Sequence, residues 1–129
     1  MDFVMDMLFI KYRGIEINTN NWRYGNFLRL NNNTGGLDFF IVDEQSNKYK
    51  IYPTSLGMGS DEKDIHGNEI FVGDKVRQTI INEKGEKRSW DLWVSFNWGT
   101  FWLGSSTLVS IASQVNKPKL EIIGNRITL

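Results

Sequence analysis

The chain has 129 residues, with 15 Lys plus Arg against 15 Asp plus Glu, one histidine and no cysteine. That length suits one domain burying about two-thirds of its open-chain surface, enough for a core without staples. Zero formal charge removes the basic excess on which sequence-independent nucleic-acid binding rests. The missing cysteines exclude disulfides, thiol catalysis, iron–sulfur clusters and cysteine zinc sites, and a lone His66 excludes a histidine-rich metal site.

In chain order, the opening carries Asp2 and Asp6 where a secretory peptide carries Lys or Arg. Its apolar run is far shorter than the roughly 20 residues that span a bilayer. The expectation is a cytoplasmic chain with no membrane association. Residues 8–17 then read as a strand or a bent pair of strands around Gly14, and Asn18 to Asn21 as a turn. Trp22 to Leu30 follows as a strand and Asn31 to Gly36 as a loop. Leu37 to Val42 and Tyr49 to Tyr52 make a hairpin, stopped by Pro53. Residues 53–69 read as an irregular connector between two β halves. Each half would be marginal alone, so residues 1–129 are expected to form one compact domain.

The second half carries the sharper signals. Ile70 to Ile81 is a strand broken at Gly73-Asp74, and Glu83-Lys84-Gly85 is a three-residue hairpin loop with Gly at its left-handed third position. That loop sets the register: Asn82 faces Glu86, Ile80 faces Arg88, Gln78 faces Trp90 and Val76 faces Leu92. On the other face Arg77 lies across from Asp91 and Lys75 across from Trp93, an ion pair and a cation over a ring. Alternation from Trp90 to Phe96 sends Trp90, Leu92, Val94 and Phe96 toward the core and Asp91, Trp93 and Ser95 outward. With Trp98-Gly99 as the turn, Phe96 meets Phe101, Val94 meets Leu103, and Trp102 lies diagonal to Trp93. Residues 104–114 fit a strand or a short helix equally. Leu120 to Ile123 is the last strand, with Ile127 and Leu129 able to continue it. Short strands, frequent Gly and Asn turns and no sustained helical period make the fold class all-β, with bent antiparallel strands in a barrel-like arrangement.

Four motifs in order carry a family resemblance: Tyr12-Arg13-Gly14, Trp22-Arg23-Tyr24-Gly25, the run from Gly67 to Val76, and Glu121-Ile122-Ile123-Gly124-Asn125. Together, across residues 8 to 125, they resemble the YopX-like proteins of bacteriophages and prophages. The chain departs from that pattern at Leu56 to Ser60 and after Asn125. The resemblance implies an all-β fold, a phage or prophage origin, and either residues 1–6 as a lineage-specific extension or Met7 as the natural start. It implies no activity.

Candidate chemistry is sparse. His66 beside Asp64 lacks a nucleophile or electrophile at any motif spacing and reads as a loop residue. Asp61, Glu62 and Asp64 lack calcium-loop spacing and read as a solvated acidic loop. Gly57-Met58-Gly59-Ser60 lacks the strand and Lys of a phosphate loop and reads as a connector. No catalytic, cofactor or metal residues are assigned.

Tryptophan is the informative residue type, since one indole buries a large area at low entropy cost and is enriched at hot spots. Trp90, Phe96 and Phe101 are placed in the core. Trp22, Trp93, Trp98 and Trp102 exceed what so small an interior can hold. They form either a contact surface, with Lys75 against Trp93, or a second core beneath the N-terminal half. The function expected is non-enzymatic protein binding by a phage accessory protein, including self-association. The alternatives are a nucleic-acid or nucleotide binder that stacks aromatics beside Lys84, Lys87 and Arg88, and a small inhibitor of a host defence system.

Overall fold

A computed structural model describes residues 11–112 and 118–125. They fall into two compact units divided between Gly59 and Ser60. The hydrogen-bond ladders form two antiparallel sheets, and neither closes into a barrel. The all-β class and the antiparallel strands are as expected; the architecture is a pair of open sheets.

In the first unit, β1 (Tyr12–Ile15), β2 (Trp22–Asn31), β3 (Leu37–Val42), β4 (Lys48–Lys50) and the start of β5 (Gly57–Lys63) are ordered β4-β3-β2-β1-β5. Among its described residues, Ile15, Ile41 and Ile51 are the buried apolar ones. Pro53 opens a 3₁₀ turn that places the buried Ser55 hydroxyl to accept from Ile15 N–H (2.7 Å) and donate to the Tyr52 carbonyl (2.6 Å). One short side chain thus satisfies two backbone groups, which would otherwise be costly to bury. Gly14 lies directly beneath Ile51, and a Cβ there would collide with Ile51 Cδ1. Gly14→Ala is therefore expected to destabilise the protein by about 1–2 kcal/mol, the strain outweighing the strand propensity gained. Chemical denaturation checks this, and in an Ile51→Val background, which lacks that methyl, the penalty should shrink.

The segment read as an irregular connector contains a strand. β5 runs through Gly57, Met58 and Gly59, with Gly57 opposite Arg13 and Gly59 N–H donating to the Lys11 carbonyl (2.7 Å). Its side chains, Gly-Met-Gly-Ser-Asp-Glu-Lys, show no apolar alternation because the strand is held by its backbone ladder. Glycine suits a place where another chain segment approaches closely.

The second unit contains β6 (Glu69–Phe71), β7 (Asp74–Ile81), β8 (Lys87–Asn97), β9 (Thr100–Leu103), β10 (Ser106–Thr107), α1 (Leu108–Ala112) and β11 (Lys119–Asn125). Its five-stranded sheet is ordered β10-β9-β8-β7-β11. Ile70, Val76, Val94, Leu103, Leu108, Ile111 and Leu120 form the core, with Leu92, Phe101 and Ile122 packed against it. Between β6 and β7, the Gly73-Asp74 break is a turn in which buried Asp74 accepts from Phe71 N–H (2.8 Å). The β7–β8 register matches the expectation at every rung named above, down to Asn82 N–H donating to the Glu86 carbonyl (3.0 Å) and a left-handed Gly85 (φ 80°). Phe96 pairs with Phe101 and Val94 with Leu103, as the Trp98-Gly99 turn requires.

The ambiguous stretch from Gly104 resolves into both alternatives, strand β10 and then helix α1; its last two residues lie outside the described part. So do residues 1–10 and the continuation at Ile127 and Leu129.

Trp90 and Phe96 correct the expected core: they are 45 % and 40 % exposed. Alternation names the face a side chain takes, but not how far the core extends beneath it. β8 is eleven residues long, while β9 flanks only Val94–Asn97 and β11 lies along β7 only from Asp74 to Thr79. Leu92 and Val94 sit over the core; Trp90 and Phe96 lie beyond its two ends.

Candidate interaction surface

None of the five tryptophans is buried. Trp22 and Trp102 are half-buried and Trp90, Trp93 and Trp98 are exposed, so the indoles do not form a sealed second core. Trp22 lies in the first unit, where the buried Arg13 guanidinium stacks over its ring at 4.3 Å. The other candidate residues lie on the second unit's sheet.

On the sheet face away from the core, Lys75 Nζ sits 5.2 Å from the Trp93 ring centre. Beside it Arg77 Nε and Nη2 donate to the two Asp91 carboxylate oxygens (2.9 and 3.2 Å). That guanidinium fork holds the Asp91 carboxyl below its ordinary range and raises the Arg77 value in turn. Trp102 lies across from Ser95, one diagonal from Trp93, and its Nε1–H donates to the Asn97 carbonyl (2.9 Å). The indole is thereby tied to the hairpin end. On the opposite face Phe96 and Phe101 meet edge to face at 5.0 Å.

Trp98 crowns this hairpin. It is 94 % exposed, and both turn residues take positive φ, 55° at Trp98 and 74° at Gly99. Such a two-residue turn favours Asn-Gly or Gly-Gly; a bulky aromatic in the left-handed region is an outlier. Here the chain presents its largest apolar side chain to solvent from an unfavourable backbone position. Sequence reasoning placed Trp98 in the turn, and the mismatch between residue and turn type was already legible there.

The remaining candidates are structural. Asp64 is buried rather than part of a solvated acidic loop: Oδ1 accepts from the His66 and Asn68 N–H groups (2.9 and 3.0 Å) and Oδ2 from Ile122 N–H (3.1 Å). Burial works against its ionisation, but the donors from Ile122, Asn68 and His66 outweigh it and keep the carboxyl below 3.8. Asp61 and Glu62 lie in β5, not in a loop, as does the Gly57–Ser60 stretch. His66 turns its ring to Glu121, Nε2 to Oε2 at 3.0 Å, and that hydrogen bond raises its value above 6.5. Its neighbour Asp64 is occupied by backbone groups. Among the described residues no group of three or more His, Cys, Asp or Glu side chains is arranged to hold a metal ion, and no helix is long and apolar enough to cross a membrane.

The basic β7–β8 hairpin end brings Lys84, Lys87 and Arg88 together with Glu83 and Glu86, three cations against two carboxylates. A shallow depression of about 350 Å³ there is lined by Ile80, Asn82, Glu86, Lys87 and Arg88.

No family model, no curated protein and no solved structure matches this chain.

Proposed function

We propose that this chain is a non-enzymatic accessory protein of a bacteriophage or prophage, acting in the host cytoplasm by protein–protein contact, including contact with itself. The four ordered motifs that resemble the YopX-like proteins support the origin. The contact reading rests on Trp98, whose indole is 94 % exposed at a positive-φ turn position. Strained positions of this kind persist where function requires them. A tryptophan held out on a stiff hairpin docks with little loss of side-chain entropy and can bury about 200 Å² in a partner pocket. Trp93, with Lys75 over its ring, and Trp102 broaden the surface on one flank of the hairpin.

The test is affinity capture from the bacterial host, read by mass spectrometry, with wild type, Trp98→Ala, and Trp93→Ala combined with Trp102→Ala. A host protein retained by wild type and lost with Trp98→Ala, while circular dichroism stays native, is the expected result. The double variant should weaken capture and remain folded. Equal capture by wild type and a folded Trp98→Ala removes this surface from the proposal.

A further inference from the structure

We propose that two copies of this chain pair edge to edge along β8, antiparallel about a two-fold axis at Ser89. This deepens the self-association part of the preceding reading and rests on it, but uses a different feature from the Trp98 turn. β9 accompanies β8 only over Val94–Asn97, so among the described residues no strand lies beside Lys87–Asp91 on that side. The rung at Asn82 and Glu86 is hydrogen-bonded. Alternation along an antiparallel ladder therefore turns the N–H and C=O of Lys87, Ser89 and Asp91 away from β7, toward the open side. The same parity is visible further along, where Gly104 N–H donates to the Trp93 carbonyl from that side (3.1 Å). A stretch of backbone donors and acceptors on an exposed edge is a template for another strand.

The side chains say which strand fits. With Ser89 opposite its own copy, Lys87 falls opposite Asp91 of the second copy, and Arg88 falls opposite the second copy's Trp90. Each relation occurs twice by symmetry. Ser89 with Ser89, and Lys87 with Asp91, are then hydrogen-bonded pairs because all three residues point outward. Arg88 and Trp90 form the closer, non-hydrogen-bonded pair that suits a cation over a ring. The incoming ammonium joins the carboxylate that Arg77 already holds, so Asp91 sits between two cations. Neighbouring registers fit less well. Centres at Lys87, Arg88 or Asp91 set like charges face to face, and a centre at Trp90 makes no opposite-charge pair. Trp90, 45 % exposed, lies on the open edge strand itself, where the second copy's Arg88 reaches its ring. The zero formal charge of the chain adds no net repulsion between copies.

Sedimentation velocity of the full chain over a concentration series tests the pairing, with dimer expected for wild type. Ser89→Pro removes an outward N–H but no β7–β8 ladder bond, since the Thr79–Ser89 rung is not hydrogen-bonded through the backbone. It should raise the half-dimerisation concentration at least about tenfold with a native circular-dichroism spectrum. If Ser89→Pro does not fold, Ser89→Cys decides. The chain has no other cysteine, and the roughly 5.5 Å between paired Cα atoms fits a disulfide. Oxidation should then yield a covalent dimer, while Lys84→Cys at the loop stays monomeric. A monomeric wild type, a folded Ser89→Pro that dimerises normally, or Ser89→Cys without a cross-link overturns the proposal. Trp98→Asn should leave dimerisation unchanged. If that variant is monomeric, self-contact runs through the Trp98 turn instead, and the edge pairing fails while the Trp98 reading stands.

Discussion

Trp98→Asn is expected to make the protein more stable and to abolish partner capture. Trp98 has φ 55° and stands before Gly99 with φ 74°, a turn for which Asn-Gly is the preferred sequence. An asparagine tolerates that backbone region far better than an indole does. At 94 % exposure Trp98 contributes almost no packing in the isolated chain, so little is lost on replacing it. The expected gain is about 0.5–1 kcal/mol, or about 2–4 °C in melting temperature for a chain of this size. Loss of a hot-spot tryptophan weakens a contact by 2 kcal/mol or more, about thirtyfold in affinity. Calorimetry and capture on the same preparation read both. A lower melting temperature would mean that the indole packs on the protein after all. Capture as strong as wild type would mean that the tip is not the contact. A rise in stability together with a loss of binding is the signature of a residue kept for function against the preference of its own backbone.

Asp64→Ala is expected to cost about 2–4 kcal/mol. The substitution leaves three part-buried N–H groups, those of His66, Asn68 and Ile122, without their charged acceptor, and hydrogen bonds to a charged group are the costlier ones to lose. It also loosens the hold of this turn on β11, whose Leu120 carbonyl accepts from Ile65 N–H (2.9 Å). Urea denaturation measures the loss, and a change below about 1 kcal/mol would mean that water replaces the carboxylate freely. The pH dependence carries a matching sign. The Asp64 carboxyl is held below 3.8 in the folded state, so its contribution is complete above that value and lost as pH falls through the folded value. His66 acts oppositely. Its value lies above 6.5, so the Glu121 contact contributes below 6.5 and fades as pH rises through the folded value. Being exposed, that pair contributes a shallow slope on the alkaline side, whereas Asp64 joins Glu16, Asp43 and Asp91, whose carboxyls are also held low, on the acid limb. Asp64→Asn should make the acid limb shallower and, by removing one of the charges that raise the His66 value, reduce the His66 slope without abolishing it, since the Glu121 hydrogen bond remains.

These two residues also divide what could be read before the structure from what could not. Trp98-Gly99 was legible as a turn, and with it the pairing of Phe96 with Phe101 and Val94 with Leu103. Asp64, by contrast, looks like one acid among several. Its burial depends on Ile122, 58 residues away in the chain, bringing a backbone donor to it.

Local chemistry determined the rest of the β7–β8 hairpin too. A three-residue loop closed by a left-handed Gly85 sets the parity, and parity places every rung from Lys75–Trp93 to Ile81–Lys87. The all-β class follows from short strands, frequent turns and the lack of a helical period. These features arise among residues a few positions apart, where sterics and turn geometry act regardless of what packs elsewhere. Tertiary structure alone decided how far the core reaches. Trp90 and Phe96 have the alternation of core residues, yet Trp90 lies past the end of β9 and Phe96 past the start of β7, and both stay exposed. It also decided that Gly57 to Lys63 is a strand, because β1 pairs with its start and β6 lies along its other side while its own side chains carry no pattern. Burial and ladder pairing between distant segments are properties of the assembled chain: they depend on which strands end where, and no window of residues encodes that.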